Sequence, residues 1–134
     1  ILNMPKIVYE NTLKNCKQGS KIGLLATEAT IKTGIYNKFF IKKYDLVSPI
    51  KKFQIHSVNR SIKLIKMGRT KEAEKAIKPA VNYLLKMKCK KIILGCTELP
   101  IAIFAYKSFK KAKLSKVFMD PNLILAEASI KKYK

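Results

Sequence analysis

The sequence predicts an α/β fold, a doubly wound four-stranded parallel sheet of order 2-1-3-4 flanked by helices. Short apolar runs, typical of strands buried on both faces, alternate along the chain with longer segments whose apolar residues recur at helical spacing. Strands that alternate with helices form parallel sheets through right-handed crossovers. The 134 residues are enough for one domain with a substantial core.

The elements follow one another without repeats or low-complexity linkers. In order, the predicted elements are a helix in 1–16 after Pro5, a strand in 21–26, a helix after Thr30, a short strand in 45–48, a helix in 54–67 ending at Gly68, a helix from Thr70, a strand ending at Leu94, a helix to about 109, a strand in 116–119 and a last helix from Pro121.

Apolar spacing also predicts which helix faces are buried. The helix after Thr30 should place Ile31, Ile35 and Phe39 on one face, with Thr30 as its cap. Thr70 should cap the long helix, and Pro79 within that helix should kink or split it. In the long helix the residues expected to face inward are Ala73, Ile77, Val81 and Leu84. In the last helix Leu123, Ala126 and Ile130 are aligned along one face.

Composition limits the possible partners. The net charge of +21 is compatible with nucleic acid, but of the 29 basic residues only Arg60 and Arg69 are arginines, and arginine dominates specific base and phosphate recognition. We therefore expect no specific nucleic-acid binding, only salt-sensitive contact with polyanions. No apolar run reaches the length of a membrane span. The three cysteines form no disulfide or metal-ligand pattern, so we expect a reducing, cytoplasmic setting and no metal.

One cysteine stands where chemistry is expected. Cys96 follows Gly95 at the carboxyl end of a strand, and Pro100 suits the first turn of the helix that comes next. A thiol near a helix N-terminus is predicted to have a lowered pKa and a larger thiolate fraction. The structural alternative is that Cys96 is a small buried hydrophobe.

The predicted topology brings a second polar group to the same edge. In a 2-1-3-4 sheet, strands one and three are neighbours, so residues 27–30 and 96–98 should meet at their carboxyl ends, a usual ligand site. Backbone N–H groups and hydroxyls there would favour an anion such as a carboxylate, although Thr27 and Thr30 can also be plain helix caps. Cys16 and Cys89 should lie at the opposite rim, and His56 should be solvent-facing or structural.

Two stretches resemble a known family. Residues 21–36 read KIGLLATEATIKTGIY, and residues 95–100 read GCTELP. Both resemble, in order, the second half of the aspartate/glutamate racemase family, and Glu98 in place of histidine is similar to the aspartate-racemase branch. The resemblance implies cofactor-independent racemisation of an acidic amino acid by cysteine acid/base chemistry. Cys96 would then be the catalytic thiol that Glu98 orients or tunes, and Thr27, Thr30 and Thr97 would bind substrate carboxylates. Ala29 departs from the glycine that the family usually has.

The resemblance also implies an incomplete site. Inversion requires acid/base groups on both faces of the α-carbon, and the family's second cysteine comes from a first domain absent here. We expect residues 1–18 to be a helix linking to that missing domain, 19–120 the racemase-like α/β domain, and 121–134 a C-terminal helix that packs back on the first domain. The partners would be a small acidic amino acid and the missing domain, and a second copy of the chain is a further candidate partner. The alternatives are an isomerase of a hydantoin or maleate, and an inactive relic or cationic binding module.

Overall fold

Four parallel strands form the sheet that the alternating pattern predicts. The structure, a computed structural model, describes residues 3–104 and 116–132, with side chains to residue 130 in the second segment. The strands are β1 (Lys21–Leu25), β2 (Asp45–Val47), β3 (Lys91–Leu94) and β4 (Phe118–Met119). Their order is β2-β1-β3-β4, and every pairing is parallel, so the predicted 2-1-3-4 topology is confirmed.

Helices cover both faces of this sheet. They are α1 (Met4–Asn15), α2 (Glu28–Thr33), α3 (Asn37–Phe40), α4 (Lys51–Phe53), a π-helical turn (Gln54–Asn59) that continues into α5 (Arg60–Lys66), α6 (Thr70–Lys86), α7 (Leu99–Phe104) and α8 (Pro121–Lys132). The helix predicted to reach about residue 109 is observed to Phe104, and its remainder lies outside the described residues. Among the helices described, none has both the length and the apolar character needed to cross a membrane.

Alternate strand residues feed two separate cores. Leu25, Ile92 and Leu94 pack with the inward faces of α5, α6 and α7. Ile22 and Ile93 pack on the other side of the sheet against α1, α3 and α8. Since successive strand side chains point to opposite faces, this division places helices on both sides, as a doubly wound sheet requires.

The segment after β1 differs from its prediction. Thr27, not Thr30, caps α2, because its Oγ1 accepts the N–H of Thr30 at 3.2 Å. The helix then ends at Gly34, which adopts a left-handed φ of 67° that favours glycine. The predicted continuous face is therefore broken, and Ile35 is exposed.

The π-turn contacts α6 next to Pro79. Thr70 is the first helical residue of α6 and Arg69 stands at the cap position, so the prediction that Thr70 caps this helix is wrong. Pro79 does not split α6, which is continuous from Thr70 to Lys86, and the Ser57 hydroxyl of the π-turn bonds to the helix backbone next to the proline. Ser57 Oγ donates to the carbonyl of Ala76 at 2.5 Å and accepts the N–H of Ala80 at 3.1 Å. The four residues predicted inward in α6 are buried.

The last helix leaves its aligned apolar residues in solvent. Leu123, Ala126 and Ile130, the residues aligned along one face, are all exposed. Ile124, one position along, packs instead on the core that contains Val8. The helix thus lies against α1 with a different face.

Candidate active site

The loops after β1 and β3 lie in direct contact at Gly95. Its N–H donates to the carbonyl of Leu25 at 2.7 Å. A Cβ placed on Gly95 would lie 2.9 Å from the Ala26 Cβ and 3.2 Å from the Leu25 oxygen. Only glycine leaves room for this approach. Thr27 follows Ala26 in the first loop, and Cys96 follows Gly95 in the second.

Cys96 is a partly buried thiol within a small hydrogen-bonded turn. Burial raises its pKa. The backbone N–H groups of Leu99 and Glu98 act in the opposite direction, while the Glu98 carboxylate raises the pKa further by its charge and by its hydrogen bond with the thiol. The prediction of a lowered pKa is therefore wrong, because burial and a neighbouring carboxylate outweigh the N–H groups. The resting group is a neutral thiol, suited to proton donation.

Glu98 links the thiol to a cation. Thr97 Oγ1 donates to Glu98 Oε2 at 3.0 Å, and Lys66 Nζ lies 3.8 Å from Oε1. Burial alone would raise the carboxyl pKa, but the bonds from Thr97 and from its own N–H, the Lys66 charge and the Cys96 thiol together lower it. Glu98 is thus ionised and accepts hydrogen bonds from the side chains of Thr97 and Cys96.

The two threonines of the first loop bond to each other. Their hydroxyl oxygens are 2.9 Å apart. Thr27 lines a groove of about 300 Å³ together with Asn59, Ile62, Lys63 and Lys66. Lys66 thus lies in this groove and also contacts Glu98 of the Cys96 turn.

Thr30 opens onto a different cleft of about 400 Å³, which Tyr36 also lines. Tyr36 is a buried residue that the sequence interpretation missed. Burial, with the charge of Cys96 as a second cause, raises its pKa to about 12, so its phenol lies near the thiol and stays protonated. The sequence interpretation also missed Asn59, Lys63 and Lys66. For the two lysines the reason is that one lysine among so many in the sequence carries no distinguishing signal.

The other cysteines lie at the opposite edge of the sheet, as predicted. Cys89 is buried, and its pKa is raised to about 11, chiefly by burial, with Lys21 and Asp45 at the strand starts as the charged neighbours. Burial also raises the pKa of Cys16, which has Lys91 as a charged neighbour. His56 is exposed. No three His, Cys, Asp or Glu side chains within the described ranges converge in a way that could hold a metal ion.

Comparison with known proteins identifies the class to which this sheet and its rim belong. The profile of the family described as Asp/Glu/Hydantoin racemase matches residues 1–128. The chain belongs to this family.

Individual relatives agree with this family membership. A glutamate racemase of Carboxydothermus hydrogenoformans is 29% identical over 129 residues, which are 95% of this chain and 46% of that protein. An uncharacterised protein in the pnlA 3′ region of Pectobacterium carotovorum subsp. carotovorum is 40% identical over 85 residues, 63% of this chain and 56% of its own length. The structure of the Picrophilus torridus aspartate racemase superposes with a TM-score of 0.70 and 26% identity, over 97% of this chain and 49% of the other. The chain spans about half the length of the relatives it matches.

Proposed function

We propose that this chain supplies one half of an amino-acid racemase active site for a small acidic amino acid such as aspartate. The observation that carries the proposal is the close contact at Gly95, which brings a thiol turn and a threonine loop to one edge of the sheet. Family membership and the likeness to an aspartate racemase and a glutamate racemase support the reaction class. The acid/base chemistry that we propose uses thiols and no cofactor.

Cys96 is assigned the acid/base role. As a neutral thiol it would donate a proton to the α-carbon, and as a thiolate it would remove one. Glu98 accepts the thiol's hydrogen bond and would orient the sulfur toward the substrate. The positively charged groups of the groove, Lys63 and Lys66, together with the Thr27 hydroxyl, would attract and hold a carboxylate. Thr97 is assigned to the same carboxylate-binding set. Thr30, which lines the neighbouring cleft, is assigned to it through its hydroxyl contact with Thr27.

The opposite face of the α-carbon requires a second acid/base group from outside these residues. Cys16 and Cys89 cannot provide it, because they lie roughly a strand length away, about 13 Å for four residues. We propose that a first domain of the family type supplies that group, with residues 1–18 as the linking helix and the exposed residues of α8 as part of the contact. A second copy that presents its own Cys96 is the other source, which light scattering and a Cys96 crosslink would detect.

Alkylation and chiral analysis test the proposal together. We expect millimolar L-aspartate to protect Cys96, but not Cys89, against iodoacetamide, with each site followed by peptide mass spectrometry. We expect no appreciable D-aspartate from the 134-residue chain alone. Absence of protection contradicts the substrate assignment. Efficient L-to-D conversion that Cys96→Ser abolishes contradicts the need for a second half. Because the family's description includes hydantoin, the same protection assay with a hydantoin separates the two substrate classes.

A further inference from the structure

The π-helical turn holds the Thr27 loop from both sides. Gln54 Nε2 donates to the carbonyl of Ala26 and to Asn59 Oδ1, each at 2.9 Å. Asn59 Nδ2 donates to Glu28 Oε1 at 2.8 Å. Ala26 and Glu28 flank Thr27, so two side-chain amides join the residues before and after this threonine to one helix.

The wider turn makes this arrangement possible. Gln54 and Asn59 are five residues apart, which in an α-helix of 3.6 residues per turn places side chains roughly 140° apart around the axis. In a π-helix residue i bonds to residue i+5, so residues with this spacing lie one above the other. The two amides therefore share one face, bond to each other and reach the same loop. The π-turn spans Gln54–Asn59, so these residues are its first and last.

The side-chain amide of Gln54 is buried, and only its N–H groups have hydrogen-bond partners among the described residues. It is 6% exposed, and both amide hydrogens are used by acceptors, which fixes the orientation of the amide. Its Oε1 is buried and, within the described part of the chain, accepts no hydrogen bond. A buried acceptor without a partner costs free energy, so the two hydrogen bonds that Gln54 donates must offset this cost.

The same helix also carries the cations of the groove. Asn59 lines it beside Thr27, and Lys63 and Lys66 follow one and two turns later. The amide contacts consequently fix where the Thr27 hydroxyl stands relative to two ammonium groups. That relation determines whether a carboxylate can contact all three.

We propose that Gln54 and Asn59 are positioning residues, which clamp residues 26–28 to the π-turn and thereby set the carboxylate-binding geometry of the groove. The inference rests on the proposed function for its substrate, but the clamp itself is measurable without one. It makes the π-turn a part of the site and not an irregularity of a core helix.

Adding a carboxylate at residue 59, and then exchanging the amide and the carboxylate between residues 28 and 59, provides the test. Asn59→Asp places a carboxylate against Glu28 and removes the donor. We therefore expect hydrogen exchange at the Thr30 and Ile31 amides, which bond to Thr27, to rise about tenfold. The Kd for L-aspartate, measured by calorimetry, should also rise about tenfold. In the double variant Glu28→Gln/Asn59→Asp the introduced amide can donate to the introduced carboxylate, while Gln54 keeps its acceptor. We expect this variant to recover both values to within about threefold. His56→Ala, an exposed change in the same turn, is the control and should change neither.

The outcomes separate the clamp from the substrate. Loop exchange that rises in Asn59→Asp and recovers in the double variant supports the clamp; if L-aspartate does not bind the unmodified chain, that same result overturns the proposed substrate alone. Exchange that rises equally throughout the chain, or that the double variant fails to restore, overturns the clamp. Gln54→Leu gives an independent check, since it removes both donors. Unchanged exchange at the Thr30 and Ile31 amides in a folded variant also overturns the clamp.

Discussion

Adding one methyl group at Gly95 should separate the two loops of the candidate site. In Gly95→Ala the new Cβ would start 2.9 Å from the Ala26 Cβ, whereas optimal carbon contacts are about 3.5–4.0 Å. The Ala26 Cβ is fixed to its backbone and cannot rotate away. The strand ends must therefore part by several tenths of an ångström, which strains the 2.7 Å bond between the Gly95 N–H and the Leu25 carbonyl.

The magnitude follows from these two effects. Overpacking a core position costs about 1–3 kcal/mol, and weakening one hydrogen bond adds up to about 1 kcal/mol. We expect urea unfolding to show a loss of roughly 2–3 kcal/mol in the free energy of unfolding. Iodoacetamide should also label Cys96 faster, because the separated loops leave its sulfur less buried.

Gly23→Ala is the matched control for the effect on the site. Its Cβ would lie 2.8 Å from Leu84 Cδ1, the flexible end of a side chain in the core below the sheet. We expect a loss of up to about 3 kcal/mol without a change in Cys96 labelling, because the mutation lies in the middle of β1. A Gly95→Ala variant as stable as the parent, or one with unchanged Cys96 labelling, would refute the reasoning about this contact.

Three further predictions concern the thiol, the core and alkaline pH. Glu98→Gln removes a charge that raises the Cys96 pKa, so the pH profile of Cys96 alkylation should move to lower pH; a profile that stays or moves upward contradicts the assigned contact. Ser57→Ala removes the hydroxyl that bonds to both the Ala76 carbonyl and the Ala80 N–H and should cost about 1–3 kcal/mol in urea unfolding, against less than about 0.5 kcal/mol for His56→Ala; equal effects would disprove the bridge. The buried Cys89 thiol has a pKa raised from 9.0 to about 11, so the folded state holds this proton more tightly and stability should fall as pH rises through that window, by roughly 3 kcal/mol in total. Cys89→Ala should lack that decrement in pH-dependent unfolding, whereas an identical pH dependence would argue against it.

The sheet was predictable because its signals are local and periodic. Short apolar runs such as Ile92–Leu94, rich in β-branched residues and followed by glycine, favour a strand covered on both faces, and the alternation with helices then limits the topology to few orders. The meeting of Gly95 with the β1 loop follows from that order. The contact was thus available from the sequence once the strands were placed.

The helix from 51 to 66 was harder to predict in detail. Its polar residues Gln54, Ser57 and Ser61 resemble a solvent face, yet all three are buried and bonded to backbone carbonyls. Only the neighbouring loop and α6 supply those partners. The π-turn therefore has no local signature in the residues that form it.

The main error of the sequence-based prediction was the lowered pKa of Cys96. A turn before a helix indicates a lowered pKa, but the outcome depends on how much water reaches the sulfur and where Glu98 points. Neither quantity is local in sequence. Lys66 illustrates the same limit, since its contact with Glu98 depends on how α5 packs beside α7.

A titration with L-aspartate, followed by NMR of the backbone amides, tests the central claim most directly. If the thiol turn and the threonine loop form one ligand site, saturable shifts should appear at Thr27, Thr30, Cys96 and Thr97, and an uncharged amide of similar size should not produce them. If shifts appear only at scattered exposed lysines, or only in one of the two loops, the proposed shared site is wrong.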